Sequence, residues 1–186
     1  MLANRASRRR MSNPDDPVPG ADLDAIPEGH LEGLGEQFLK ALEARNAGRI
    51  DEASEALLAI LRVEPRLAEP RLELGRIYLE TGRLEEGEAE AREAIRILDA
   101  GGAWSEDVPE AILQGMGWAL LGELLKEQAA TDEVVFGDDP ARFKELLDQS
   151  RVAFARAAEL DPQDLASLAN AAELGDTPSE EPDPEN

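Results

Sequence analysis

The chain has 186 residues and a formal charge of −22, with 41 Asp and Glu against 19 Lys and Arg. So acidic a surface repels phosphate backbones and anionic lipid, which removes nucleic acid and membrane from the expected partners. With no Cys, disulfides, thiolate metal sites and thiol nucleophiles are excluded, and with aromatics at 4% any interior must be built from Leu, Ile and Ala, which suits helices.

Residues 1–27 are rich in Pro, Gly, Asp and Arg and hold too little apolar surface to offset chain entropy, so a disordered tail is expected there. The basic opening "MLANRASRRRMS" is followed by no apolar region, so it is a poor signal peptide, and Met11 opens a more ordinary acidic terminus. No apolar run approaches the roughly 18 residues of a membrane span, and the expected location is the cytoplasm.

Helical spacing begins with Leu31, Leu34, Phe38, Leu42 and Arg45 on one stripe, and Gly48 ends it as a residue free to adopt positive φ. Ile50, Ala53, Leu57, Ile60 and Leu61 form the next face, which Pro65 stops. Pro70 suits a first helical turn, and Leu74, Ile77 and Tyr78 lead to Gly82. Leu84, Ala91, Ala94, Ile95 and Leu98 follow, ending at Gly101 and Gly102. A third pair is stretched. Trp118, Leu121, Gly122 and Leu125 belong to its first helix, Leu147, Ser150, Phe154 and Ala157 to its second, with "AATDEVVFGDD" between them. In "DPQDLASLANAAELG", Asp161 reads as an N-cap and Pro162 as the first helical residue. Leu165, Leu168, Ala172 and Leu174 are expected to face the last hairpin, with Asn170 and Glu173 toward water. Residues 176–186 carry three Pro and five acids and read as a second, acidic tail.

"GRIDEA" at Gly48 and "GRLEEG" at Gly82 write nearly the same turn 34 residues apart. That period, with paired helices, resembles the tetratricopeptide repeat (TPR). Leu74-Gly75, Tyr78, Gly82, Leu84, Gly87, Ala91 and Ala94 carry the resemblance in the second copy. In the third, Trp118, Leu121-Gly122, Leu125, Ser150, Phe154, Ala157 and Pro162 do so; in the first, Ala41, Ala44, Gly48, Ile50, Ala53, Leu57, Ile60 and Pro65. Asp99 stands where the pattern has Pro, Gly87 where it has Ala, and the third copy is interrupted. The resemblance implies an all-α superhelix of about three TPR hairpins plus a C-terminal capping helix. The hairpins fall near 31–65, 68–100 and 109–161, with an insert near 129–140 and the cap at 162–174, all within a domain of residues 28–175.

Chemistry finds little purchase. The single His, His30, lies at the edge of the N-terminal tail, and no GxxxxGK[ST] phosphate loop occurs. Asp132, Glu133, Asp138 and Asp139 lack the alternating order of a calcium loop. The expectation is a protein that is not an enzyme and uses no cofactor or metal. The resemblance instead implies a concave groove lined by the first helix of each hairpin: Phe38, Leu42 and Arg45, then Leu72, Arg76 and Leu79, then Ala119, Glu123 and Lys126. It implies a scaffold whose groove takes a peptide or helix of another protein, one with a basic or amphipathic segment given the charge. The Lys and Asn clamp of some family co-chaperones is absent from Phe38, Leu42, Leu72, Arg76, Ala119 and Leu120. Two alternatives stand beside this reading: a small acidic chaperone of a secreted or assembling substrate, and metal binding through the acidic insert. The sequence leaves the oligomeric state open.

Overall fold

A computed structural model describes residues 28–104, 107–137 and 140–175. The expected tails, 1–27 and 176–186, lie outside the described residues, as do Asp138 and Asp139 of the insert. The described residues form helices and no strand. They are α1 (Glu28–Asn46), α2 (Ile50–Val63), α3 (Ala68–Glu80), α4 (Leu84–Asp99), α5 (Glu110–Ala129), α6 (Asp132–Val135), α7 (Pro140–Leu160) and α8 (Leu165–Gly175). α1 pairs with α2, α3 with α4 and α5 with α7, and each pair packs on the next. This is an all-α helical-repeat solenoid.

The repeated turn has a geometric cause. Gly48 and Gly82 sit at φ 75° and 72°, a region that a Cβ penalises. There the amide of Gly48 donates to the Arg45 carbonyl at 2.8 Å and that of Arg49 to Ala44 at 2.9 Å. Gly82 donates to Leu79 at 3.2 Å and Arg83 to Tyr78 at 2.8 Å in the same pattern. Both are Schellman endings, which satisfy the last carbonyls of one helix while reversing the chain into the next. Arg49 and Arg83 then reach forward to Glu52 and Glu86 through Nε, at 2.7 Å each.

Small residues set the helix spacing. A Cβ on Gly122 would meet the Phe154 ring at 2.9 Å, so α5 and α7 approach only because Gly stands there. The buried Ser150 hydroxyl donates to the Gly122 carbonyl at 2.7 Å across the same contact. Leu72, Ile95, Leu98, Leu120, Leu124 and Phe154 fill the interior beyond.

Two expectations change. α8 begins at Leu165, and its N-cap is Asp164, whose Oδ1 accepts from the amides of Ala166 and Ser167 at 3.1 Å each. Asp161 instead closes its own turn by accepting from the Gln163 amide at 3.0 Å. The faces of α8 are also not those expected. Leu165 is 75% exposed and Leu168 44%, Ala172 is exposed, and Ser167 is buried. Asn170 turns inward because the Lys126 ammonium needs an acceptor: Nζ donates to Asn170 Oδ1 at 2.8 Å. Inside the insert, residues 132–135 make one helical turn that Thr131 starts, accepting from the Val134 and Val135 amides at 3.1 and 2.9 Å.

Candidate functional site

The first helices of the hairpins carry the four charged groove residues expected, Arg45, Arg76, Glu123 and Lys126. From α1, Arg45 Nη1 donates to Glu73 Oε2 on α3 at 2.6 Å, and Nη2 to Glu80. Burial acts most strongly on the Arg45 guanidinium and opposes its charge, yet the bonds and charges of Glu80 and Glu73 together hold its pKa above the ordinary value. The other oxygen of Glu73 faces Arg76 Nε at 3.6 Å, too far for a hydrogen bond. Arg76 Nε is buried and makes no hydrogen bond.

Arg76 walls a cavity of about 340 Å³ together with Met116, Ala119, Glu123, Asp161 and Asp164. Next to it, Leu79, Glu123, Lys126, Glu127, Phe154 and Asn170 wall a second of about 390 Å³. Glu123 borders both. Glu123 is exposed to solvent, yet the packing of neighbouring atoms around its carboxyl is the largest influence and pushes the pKa up. Asp164 and Glu127 push the same way, and Arg76 opposes them. Lys126 is committed to α8, to Asn170 and, at 3.6 Å, to Glu173.

Five of the nine expected residues, Arg76, Leu79, Ala119, Glu123 and Lys126, therefore line two adjoining cavities, and Arg45 joins them through Glu73. Leu72 does not belong to this surface. It is 2% exposed and packs 3.5 Å from where a Gly117 Cβ would stand, because it lies on the side of α3 that meets α5. Phe38 is half-buried against Trp104, ring centroids 5.6 Å apart. Leu42 is half-buried on α1. Sequence reasoning missed Glu73, Asp161, Asp164 and Trp104. An isolated Trp among small residues was the available signal for the last. Its amide donates to Glu69 Oε1 at 2.9 Å and its ring lies over Gly35, which anchors the α4–α5 connection on the first hairpin.

A larger cleft of about 740 Å³ opens between the α3–α4 turn and the insert. Its cationic groups and Gln128 already have partners. Arg83 bonds Glu86, Gln128 Nε2 donates to Glu88 at 2.7 Å, and Arg142 pairs with Glu145. The groove differs in leaving a buried donor, Arg76 Nε, without a hydrogen bond. The side chains of Asp132 and Glu133, like Asp138 and Asp139, lie outside what the structure describes. Among the described residues no group of three or more acidic or His side chains is arranged to hold a metal, and no helix is long and apolar enough to cross a membrane.

A family model described as a tetratricopeptide repeat matches residues 68–97, the α3–α4 hairpin in which Gly75 and Gly87 make the close contact and Gly82 the turn. Residues 68–97 are a tetratricopeptide repeat. No curated protein matches the sequence. The matched hairpin is the central one: the α1–α2 pair repeats its glycine turn, and the α5–α7 pair, joined through the insert, repeats its packing of small residues against large.

Proposed function

We propose that this protein is a non-enzymatic scaffold whose concave groove binds a segment of another protein, one that presents basic side chains on an amphipathic helix or extended peptide. The observation that carries this reading is the pair of cavities meeting at Glu123. Arg76 Nε is buried there without a hydrogen bond. Glu123, Glu127, Asp161 and Asp164 gather on the same walls with Arg76 and Lys126 as the cations, and Lys126 is already engaged by α8. A partner Lys or Arg entering beside Glu123 would relieve the crowding of carboxylates, and a partner carbonyl would supply the acceptor that Arg76 lacks.

Titration of basic, neutral and acidic amphipathic peptides by fluorescence anisotropy tests the reading, with wild type compared with Glu123→Arg. The basic peptides are expected to bind wild type and to lose at least about tenfold in affinity for the variant. Equal binding to both proteins would move recognition off the groove, and a preference for acidic peptides would reverse the charge assignment. Leu72→Glu is unsuitable as a groove variant, because that side chain is core.

A further inference from the structure

The outer face of α8 is an unfinished packing surface. Leu165, Leu168, Ala169 and Ala172 follow the i, i+3, i+4, i+7 spacing of a helix-packing stripe, and all four are exposed. The equivalent helix earlier in the stack shows what such a face normally meets. Gly75 comes ten residues after Pro65, as Ala172 comes ten after Pro162. On α3 that position packs against the antiparallel α4, a Cβ there lying 3.5 Å from Gly87 O and 3.8 Å from the Ala91 amide. By this register α8 is the first helix of a hairpin whose second helix is not among the described residues. Residues 176–186, "DTPSEEPDPEN", contain no aliphatic or aromatic side chain other than three Pro rings with which to cover the stripe.

We infer that the cover is α8 of a second copy of this chain, packed antiparallel about a twofold axis between Leu168 and Ala169. That axis sets Leu165 opposite the other copy's Ala172 and Leu168 opposite its Ala169, so each large side chain meets a small one. The charges agree with the same arrangement. α8 holds one charged residue, Glu173, in a chain of net charge −22, so like-charge repulsion is weakest here. Arg151 lies beside Gly175 at one end of the stripe, 3.9 Å from where its Cβ would stand, and has no ion-pair partner among the described residues. Asp161 and Asp164 stand at the other end, also without ion pairs among the described residues. Antiparallel pairing carries each Arg151 toward the opposite copy's two aspartates. Two 11-residue helices bury less than the roughly 1,200 Å² of a tight complex, so the dimer is a reversible one.

Sedimentation equilibrium of the full chain, run from low micromolar to about 0.5 mM, reads the association directly. The mean mass is expected to rise toward twice the chain mass, and Leu165→Glu with Leu168→Glu is expected to hold it at the chain mass with an unchanged helical circular-dichroism spectrum. Because the protein has no native Cys, an equimolar mixture of Leu165→Cys and Ala172→Cys chains gives a second readout. The mixture should form disulfide-linked dimers several times faster than either variant alone. A wild type that stays at the chain mass throughout overturns the inference and hands the stripe to a different protein. So does a dimer that survives the double Glu variant, and so does equal cross-linking of the single variants alone. Of the groove residues only Asp161 and Asp164 border this contact, and the α8 variants leave both in place, so a chain that stays monomeric does not bear on the groove reading.

Discussion

At the scale of single residues, the molecule depends on where side chains are missing. A methyl group at Gly122 meets Phe154 ring carbons at 2.9 Å, and the ring is itself 1% exposed with no room to turn. Gly122→Ala should therefore cost about 1–3 kcal/mol through overpacking, read as a lower midpoint in thermal or urea denaturation. Gly33 is the control: it is helical, and a Cβ there meets nothing within 4 Å. Gly33→Ala should stabilise by about 0.5–1 kcal/mol, because Ala loses less chain entropy on entering a helix. If the two variants shift the midpoint equally, the close approach of α5 and α7 is not set by Gly122. Both glycines were visible in the sequence. Only the Leu-Gly pairing at 121–122, matching 74–75, marked one of them as a contact rather than a helix weakness.

At the scale of elements, Glu88 ties α4 to α5. Its carboxylate accepts from Arg92 on its own helix and from Gln128 on the next, each at 2.7 Å. Burial is the largest single influence and favours the neutral form, but the bonds from Gln128 and Arg92, with the charges of Arg92 and Arg142, outweigh it and hold the pKa below the ordinary value. A carboxyl whose folded pKa is depressed adds stability above its unfolded pKa, and that stability is lost as pH falls through the folded value. Glu88→Gln should thus cost about 1 kcal/mol at neutral pH and cost progressively less as wild type and variant are compared at falling pH below about 4. A pH-independent difference would reduce Glu88 to a neutral packing residue. The hairpins were legible because Gly48, Gly82 and the period of apolar positions specify them locally. The orientation of α8 was not. Its more apolar face, Leu165–Leu168–Ala172, turns outward and Ser167–Asn170–Leu174 inward, because Lys126, 44 positions from Asn170, needs an oxygen. Trp104 was hidden for a similar reason. It sits after "GG" in a connection whose partner, Phe38, is a full hairpin away in sequence. The groove residues were legible only as far as helical phase allowed, which is why Leu72 was placed on the surface when it lies one step round α3 toward α5.

At the scale of the whole molecule, net charge and groove chemistry become one question. A chain at −22 draws cationic segments from a distance, but that attraction is nonspecific and screened by salt within about 10 Å at 0.1 M. What distinguishes the groove is a carboxyl whose proton affinity is raised by the atoms packed around it and by its acidic neighbours Asp164 and Glu127. A basic peptide prefers Glu123 ionised. Its affinity should therefore rise as pH climbs through the elevated Glu123 pKa and level off above it, while loss on the acid side should begin at a higher pH than ordinary surface carboxylates would impose. Glu123→Gln removes the titrating group while keeping its shape, so it should flatten that upper segment and leave the salt dependence in place. Anisotropy titrations between about pH 4 and 8 at fixed ionic strength separate the two effects. If wild type and Glu123→Gln give parallel pH profiles, the peptide is held by the general acidity of the surface, and the cavities beside Arg76 are not where recognition is decided.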